Sequence, residues 1–163
     1  MIDLRQQIER CAAGRVCFMG LGNTESGDDG FGVRLARELA DAGLPDVIVA
    51  GSEPERFIGR AAECGHDHLV FLDAVDFGAP PGSAVWLDSG AMAGRFPQVS
   101  THRISLGLLS RCAESSGKTR AWLLGVQPQS LRPARQLSPA VEATLQVLRG
   151  WLLEACAARA TAR

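Results

Sequence analysis

Acidic side chains placed among glycines, directly after an apolar run, are the groups in this chain best suited to chemistry. The stretch Gly20-Leu21-Gly22-Asn23-Thr24-Glu25-Ser26-Gly27-Asp28-Asp29-Gly30-Phe31-Gly32 follows a strand-like run and opens a helical pattern. Loops of this kind normally offer backbone N–H groups and the positive end of a helix dipole to an anion. Asp28 and Asp29 would compete for those donors, so the ligand implied is a cation or a peptide rather than a phosphate. Asp73 ends the apolar run Val70-Phe71-Leu72-Asp73-Ala74, and a carboxylate ending a buried strand is costly unless a cation or donor compensates it. His102 lies in Ser100-Thr101-His102-Arg103-Ile104-Ser105-Leu106, just before a helical segment. Two carboxylates and an imidazole form a borderline-hard donor set suited to nickel, zinc, manganese or iron, with positions left open for substrate.

Plainer roles exist for each residue. Asp28 reads as a helix-start residue, since Asp is a favoured N-cap, whereas Asp29 reads as the functional acid of the pair. Asp73 could bond loop amides, and His102 could simply begin a helix. His66 and His68 flank Asp67 but precede their strand, which assigns them to the opposite edge in surface and strand-start roles. Asp76 belongs to a turn beside Gly78, Pro80 and Pro81. Competing motifs fail: a third dinucleotide-binding glycine is replaced by Glu25, the only lysine is Lys118 and completes no phosphate loop, and no serine has the G-x-S-x-G context.

Candidates from separate parts of the chain must be gathered by a fold. Arg15–Leu21, Val47–Ala50, His68–Ala74, Ala84–Leu87 and Arg120–Val126 read as strands, alternating with helix-period segments. The first of these runs from Gly30 to Ala42 with Phe31, Leu35 and Leu39 inward; shorter ones span Glu55–Cys64 and Ile104–Ser115. Ser138 and Pro139 start the last helix, which buries Val141, Leu145, Leu148 and Leu152, frays near Ala157 and leaves 158–163 as a disordered tail. Ile2–Ala13 is an amphipathic addition within an N-terminal extension, residues 1–14. The pattern predicts one three-layer α/β domain with a twisted, mostly parallel sheet of about five strands. Its Ala84–Leu87 member is antiparallel, because only a short connection precedes it. In such a sheet ligands bind beyond the carboxyl ends of the strands, where Asp29, Asp73 and His102 all fall.

Composition narrows the classes further. A chain of 163 residues with 17 basic and 18 acidic side chains and a net charge of -1 has no electrostatic footprint for nucleic acid or an anionic membrane. The N-terminal sequence lacks a signal peptide's apolar core and no run is long enough to span a bilayer, so the expected location is the cytoplasm. Five cysteines, at 11, 17, 64, 112 and 156, include no C-x-x-C pair. They are expected to be reduced and mostly buried.

The combination resembles the hydrogenase maturation proteases, endopeptidases that trim the large-subunit precursor of [NiFe] hydrogenases. Gly20-Leu21-Gly22-Asn23 through Asp28-Asp29-Gly30-Phe31-Gly32 is similar to that family's G-x-G-N followed by D-[DE]-x-x-G, Leu72-Asp73-Ala74 to its strand-end D-A, and Ser100 to Leu106 to its [ST]-x-H-x-x-x-L segment. Gly125-Val126-Gln127-Pro128 resembles its G-[IV]-Q-P turn, and Leu137-Ser138-Pro139 the start of its last helix. The resemblance implies three metal-contacting, catalytic residues, Asp29, Asp73 and His102, the first being Glu in some members. It implies nickel carried by the precursor, no organic cofactor, and a nickel-loaded large-subunit precursor as partner. Thr24-Glu25-Ser26 departs from the more apolar or basic loop often found there. Two other functions stay open on the residues alone: a noncatalytic nickel-dependent maturation chaperone, and a small-molecule hydrolase or nucleotide-binding protein on the same scaffold.

Overall fold

The computed structural model describes residues 1–95 and 104–162. Its centre is a five-stranded sheet in the order β2-β1-β3-β5-β4. The strands are β1 (Val16–Leu21), β2 (Val47–Gly51), β3 (His68–Ala74), β4 (Ala84–Asp88) and β5 (Arg120–Val126). All pairs are parallel except β4 with β5, so the antiparallel expectation for Ala84–Leu87 holds. Every residue of β1 is buried, as a central strand covered on both faces requires.

Among the described residues six helices cover the sheet: α1 (Leu4–Ala12), α2 (Phe31–Asp41), α3 (Ile58–Glu63), α4 (Ser89–Arg95), α5 (Leu106–Glu114) and α6 (Pro139–Thr161). Alternation along the strands divides the interior in two. Val16, Phe18, Val70, Leu72, Leu124 and Val126 pack with Phe31, Leu35 and Leu39 of α2 and the Val141-Leu145-Leu148-Leu152 stripe of α6. Cys17, Met19, Leu21, Leu69, Phe71 and Leu123 pack on the other face with Ile58 of α3, Met92 of α4, and Leu106 and Leu109 of α5. The three-layer α/β class follows from this division.

Three elements differ from the sequence expectation. α6 does not fray near Ala157 but continues to Thr161, removing most of the expected disordered tail. Its end is rich in alanine, the strongest helix former, and Leu153, Ala155 and Cys156 still pack on the core. α4 was not anticipated; Gly90 and Gly94 mask its helical pattern, while the Asp88 carboxylate caps it by accepting from Ala91 N–H at 2.8 Å. Finally, Asp28 and Asp29 do not cap α2. They lie inside a 3-10 turn, Gly27–Gly30, that leads into it.

Candidate functional site

β1 connects to β2 on one side of the sheet, while the chain leaving β3 passes to β4 and β5 on the other. The carboxyl ends of β1 and β3 therefore flank a topological switch point, the place where open α/β sheets bind their ligands. The Gly27–Gly30 turn packs against β3 at this point, so Asp29, which follows β1, and Asp73, which ends β3, belong to one edge. Two of the three residues singled out from sequence thus lie at the same edge of the sheet. The third, His102, falls outside the described residues; α5 resumes beyond it, capped by Ser105 Oγ accepting from Leu108 N–H at 3.2 Å. Among the described residues no three His, Cys, Asp or Glu side chains form a metal-holding group.

Glycine makes this edge possible by backbone contact. A Cβ on Gly32 would lie 1.9 Å from the Leu72 carbonyl oxygen and 2.5 Å from that of Leu21, so α2 rests directly on the ends of β1 and β3. Gly22 has φ +115° and a Cβ there would stand 1.9 Å from the Asp29 carbonyl oxygen. With this space open, Asp29 Oδ2 accepts from Asn23 N–H at 2.9 Å. Asp29 is 4% and Asp73 3% exposed, because the turn and α2 close over the strand ends. Buried carboxylates suit a hard or borderline cation, or a donor brought by a ligand.

Asp28 has a role that its position in sequence did not reveal. Its Oδ2 accepts from Gln129 N–H (2.8 Å), Ser130 N–H (3.2 Å) and the Ser138 hydroxyl (2.8 Å), and its Oδ1 accepts from Ser138 N–H at 2.7 Å. Burial pushes its pKa up, but the bonds from Ser138, Gln129 and Ser130 outweigh that and hold the carboxyl below its ordinary value. Ser138 does begin α6, though its hydroxyl serves Asp28 instead of a helix N–H. Gln127 makes a second clasp: its Oε1 accepts from Phe77 N–H at 2.8 Å and Ala79 N–H at 3.3 Å, and its Nε2 donates to Asp76 at 3.0 Å. Asp76 is therefore a turn residue, as expected, held to the chain leaving β5.

The histidines flanking Asp67 occupy the far edge. His68 opens β3, where its Nδ1 accepts from the Trp122 indole at 3.0 Å, and burial lowers its pKa. His66 Nε2 stands 3.3 Å from Asp46. Burial, aided by neighbouring acidic groups, raises the Cys11 and Cys17 thiols to about 12, which removes them as nucleophiles. The expectation of mostly buried thiols fails for Cys64 and Cys112, which are exposed at the end of α3 and on the outer side of α5.

Known proteins share this fold. The family model described as HycI, hydrogenase maturation protease, matches residues 33–154, a span that includes Asp73 and His102. The hydrogenase 3 maturation protease of Escherichia coli (strain K12) is 36% identical over 138 residues, covering 80% of this chain and 86% of that protein. Among solved structures, the [NiFe] hydrogenase maturation protease HycI from Thermococcus kodakarensis KOD1 superposes with a TM-score of 0.81 at 28% identity, covering 92% of this chain and 98% of that one. The hydrogenase maturating endopeptidase HybD from E. coli gives 0.70 at 27% identity, covering 91% and 93%. By the family model over residues 33–154 and the relative that is 36% identical over 80% of its length, the chain belongs to the hydrogenase maturation protease family.

Proposed function

We propose that this protein is the endopeptidase that removes the C-terminal peptide of a [NiFe]-hydrogenase large-subunit precursor after nickel insertion. The observation that carries the reading is the pair of buried acids, Asp29 and Asp73, at the switch point of a chain from this family. Support also comes from the names of its relatives, which are maturation proteases and endopeptidases.

In this reading nickel arrives with the substrate, and Asp29, Asp73 and His102 are the side chains that meet it. A bound metal supplies polarisation of the scissile carbonyl or a more acidic water. The chain's own contribution is placement. Asn23 N–H engages one oxygen of Asp29 and fixes the direction of that carboxylate, while Asp73 is held by the register of β3 against β5, opposite Gly125. A carboxylate so oriented can accept the proton of the attacking water as general base. A cytoplasmic site of action belongs to the same proposal; no described helix is long and apolar enough to cross a membrane.

The test is incubation with a nickel-loaded, tail-bearing large subunit, followed by mass measurement. One discrete C-terminal fragment is expected from the wild type, with none from Asp29→Ala, Asp73→Ala or His102→Ala. Full trimming by the Asp73 or His102 variant overturns the site. Binding of the precursor without shortening would instead identify a noncatalytic maturation chaperone.

A further inference from the structure

Residues 129–136 form a loop whose side chains all face solvent, yet whose backbone is pinned from beneath. Gln129 and Ser130 donate to Asp28; Asp28 N–H donates to the Ser130 carbonyl at 3.0 Å and Gly27 N–H to that of Ala134 at 2.9 Å. Ala134 N–H returns a bond to the Glu25 carbonyl at 3.0 Å, and the Arg34 guanidinium donates to the Arg135 carbonyl. Gly27, at φ +58°, lets the two segments meet: a Cβ there would lie 2.8 Å from the Ser130 carbonyl oxygen and 3.0 Å from that of Arg132. The anchor is the same 3-10 turn that carries Asp29.

A loop fixed without burying its own side chains is fixed for what it presents outward. It presents Leu131, 45% exposed, with Arg132 and Arg135. The chain from Val126 to Val141 contains no acidic residue, and neither guanidinium pairs with a carboxylate among the described residues. An apolar side chain next to two unneutralised cations, on a backbone pinned to the turn that carries Asp29, matches a partner of opposite charge at little ordering cost.

We propose that the 129–136 loop is a docking ridge for the precursor protein, on which Arg132 and Arg135 take acidic side chains of the precursor and Leu131 takes an apolar neighbour. This rests on the precursor-processing reading given above. The occupant is a folded or extended protein segment bearing carboxylates, since the eight side chains of the ridge are exposed and its two cations carry no acidic neighbour in sequence.

The experiment measures both trimming and equilibrium binding of the nickel-loaded, tail-bearing large subunit, at low and high salt. For the Arg132→Glu/Arg135→Glu protein, KM and Kd should rise about tenfold while kcat stays within about twofold, because rim charges act on encounter and docking rather than on the bond broken. The wild type should lose affinity as salt screens the ridge, and the reversed variant should not. Arg132→Lys/Arg135→Lys should retain most of the affinity. Equal KM, Kd and salt response in wild type and reversed variant overturn the ridge while trimming by both upholds the protease reading. Salt-sensitive binding that the reversal abolishes, with no trimming by the wild type, upholds the ridge and sinks the protease reading; absence of binding at low salt overturns the ridge.

Discussion

Two adjacent carboxylates do different work here. Asp29 accepts from Asn23 N–H at the carboxyl edge of the sheet, whereas Asp28 accepts four bonds and joins the loop after β1 to the loop after β5. Replacing Asp28 by Asn removes the charge that strengthens those bonds and leaves an N–H₂ facing donors. Urea unfolding of Asp28→Asn should show a loss of about 3 kcal/mol, in the range for bonds to a charged acceptor. The pH dependence has a definite sign. A carboxyl held below its unfolded value of about 3.9 contributes stability that is fully present above that pH and lost as pH falls through the lower, folded value. Wild-type stability should therefore decline with acidification below about pH 4 more steeply than that of Asp28→Asn. The division of labour was only half legible in sequence. Asp29 and Asp73 follow strands, and position after a strand is a local property; the partners of Asp28 are 101 to 110 residues away, and no local pattern announces them. Gln127 was visible only as part of a G-V-Q-P turn, for the same reason.

At the scale of elements, the approach of α2 to the sheet decides where the acids stand. Gly32 permits that approach, because any side chain would meet the carbonyls of Leu72 and Leu21. Gly32→Ala must lift α2 and the turn before it, so a destabilisation of several kcal/mol, about 2–4, is expected from disrupted packing. Precursor trimming at a temperature where the variant is still folded should fall with it. Gly150 is the contrast: nothing lies within 4 Å of a Cβ there, and it is inside α6. Gly150→Ala should stabilise by about 0.5–1 kcal/mol in thermal melts and leave trimming intact. The five strands and the antiparallel β4 were readable because apolar runs and a short connection are local signals; the strand order, set by which elements pair across the sheet, was not. α4 was not, since its small and glycine-rich sequence has weak helix propensity and its fold depends on the Asp88 cap and the burial of Met92.

Across the whole molecule, stability and chemistry are supplied at different ends. The acidic turn lies at the carboxyl edge of the sheet, whereas α1 packs on α6 and β4 through Ile8, Cys11 and Ala12. The ion pairs of Arg5, with Glu9 inside α1 and with Glu154 of α6, are half exposed or more, so each contributes at most about 1 kcal/mol. Apolar burial must hold the helix, and Ile8, 1% exposed, is its deepest residue. Ile8→Ala deletes buried methylene and methyl groups and leaves a cavity between α1 and α6, a change that costs about 2–4 kcal/mol. Because Ser138, the residue that precedes α6, is bonded to Asp28, a displaced α6 would be a mechanical route from that cavity to the acidic turn. The long stripe Val141, Leu145, Leu148 and Leu152 anchors α6 on the sheet between those two points and should absorb the disturbance. The expected result is a lower melting temperature with kcat/KM for precursor trimming unchanged within about twofold below the transition. A fall in kcat/KM at temperatures where the variant remains folded would show that α6 transmits strain from α1 to the Asp28 clasp.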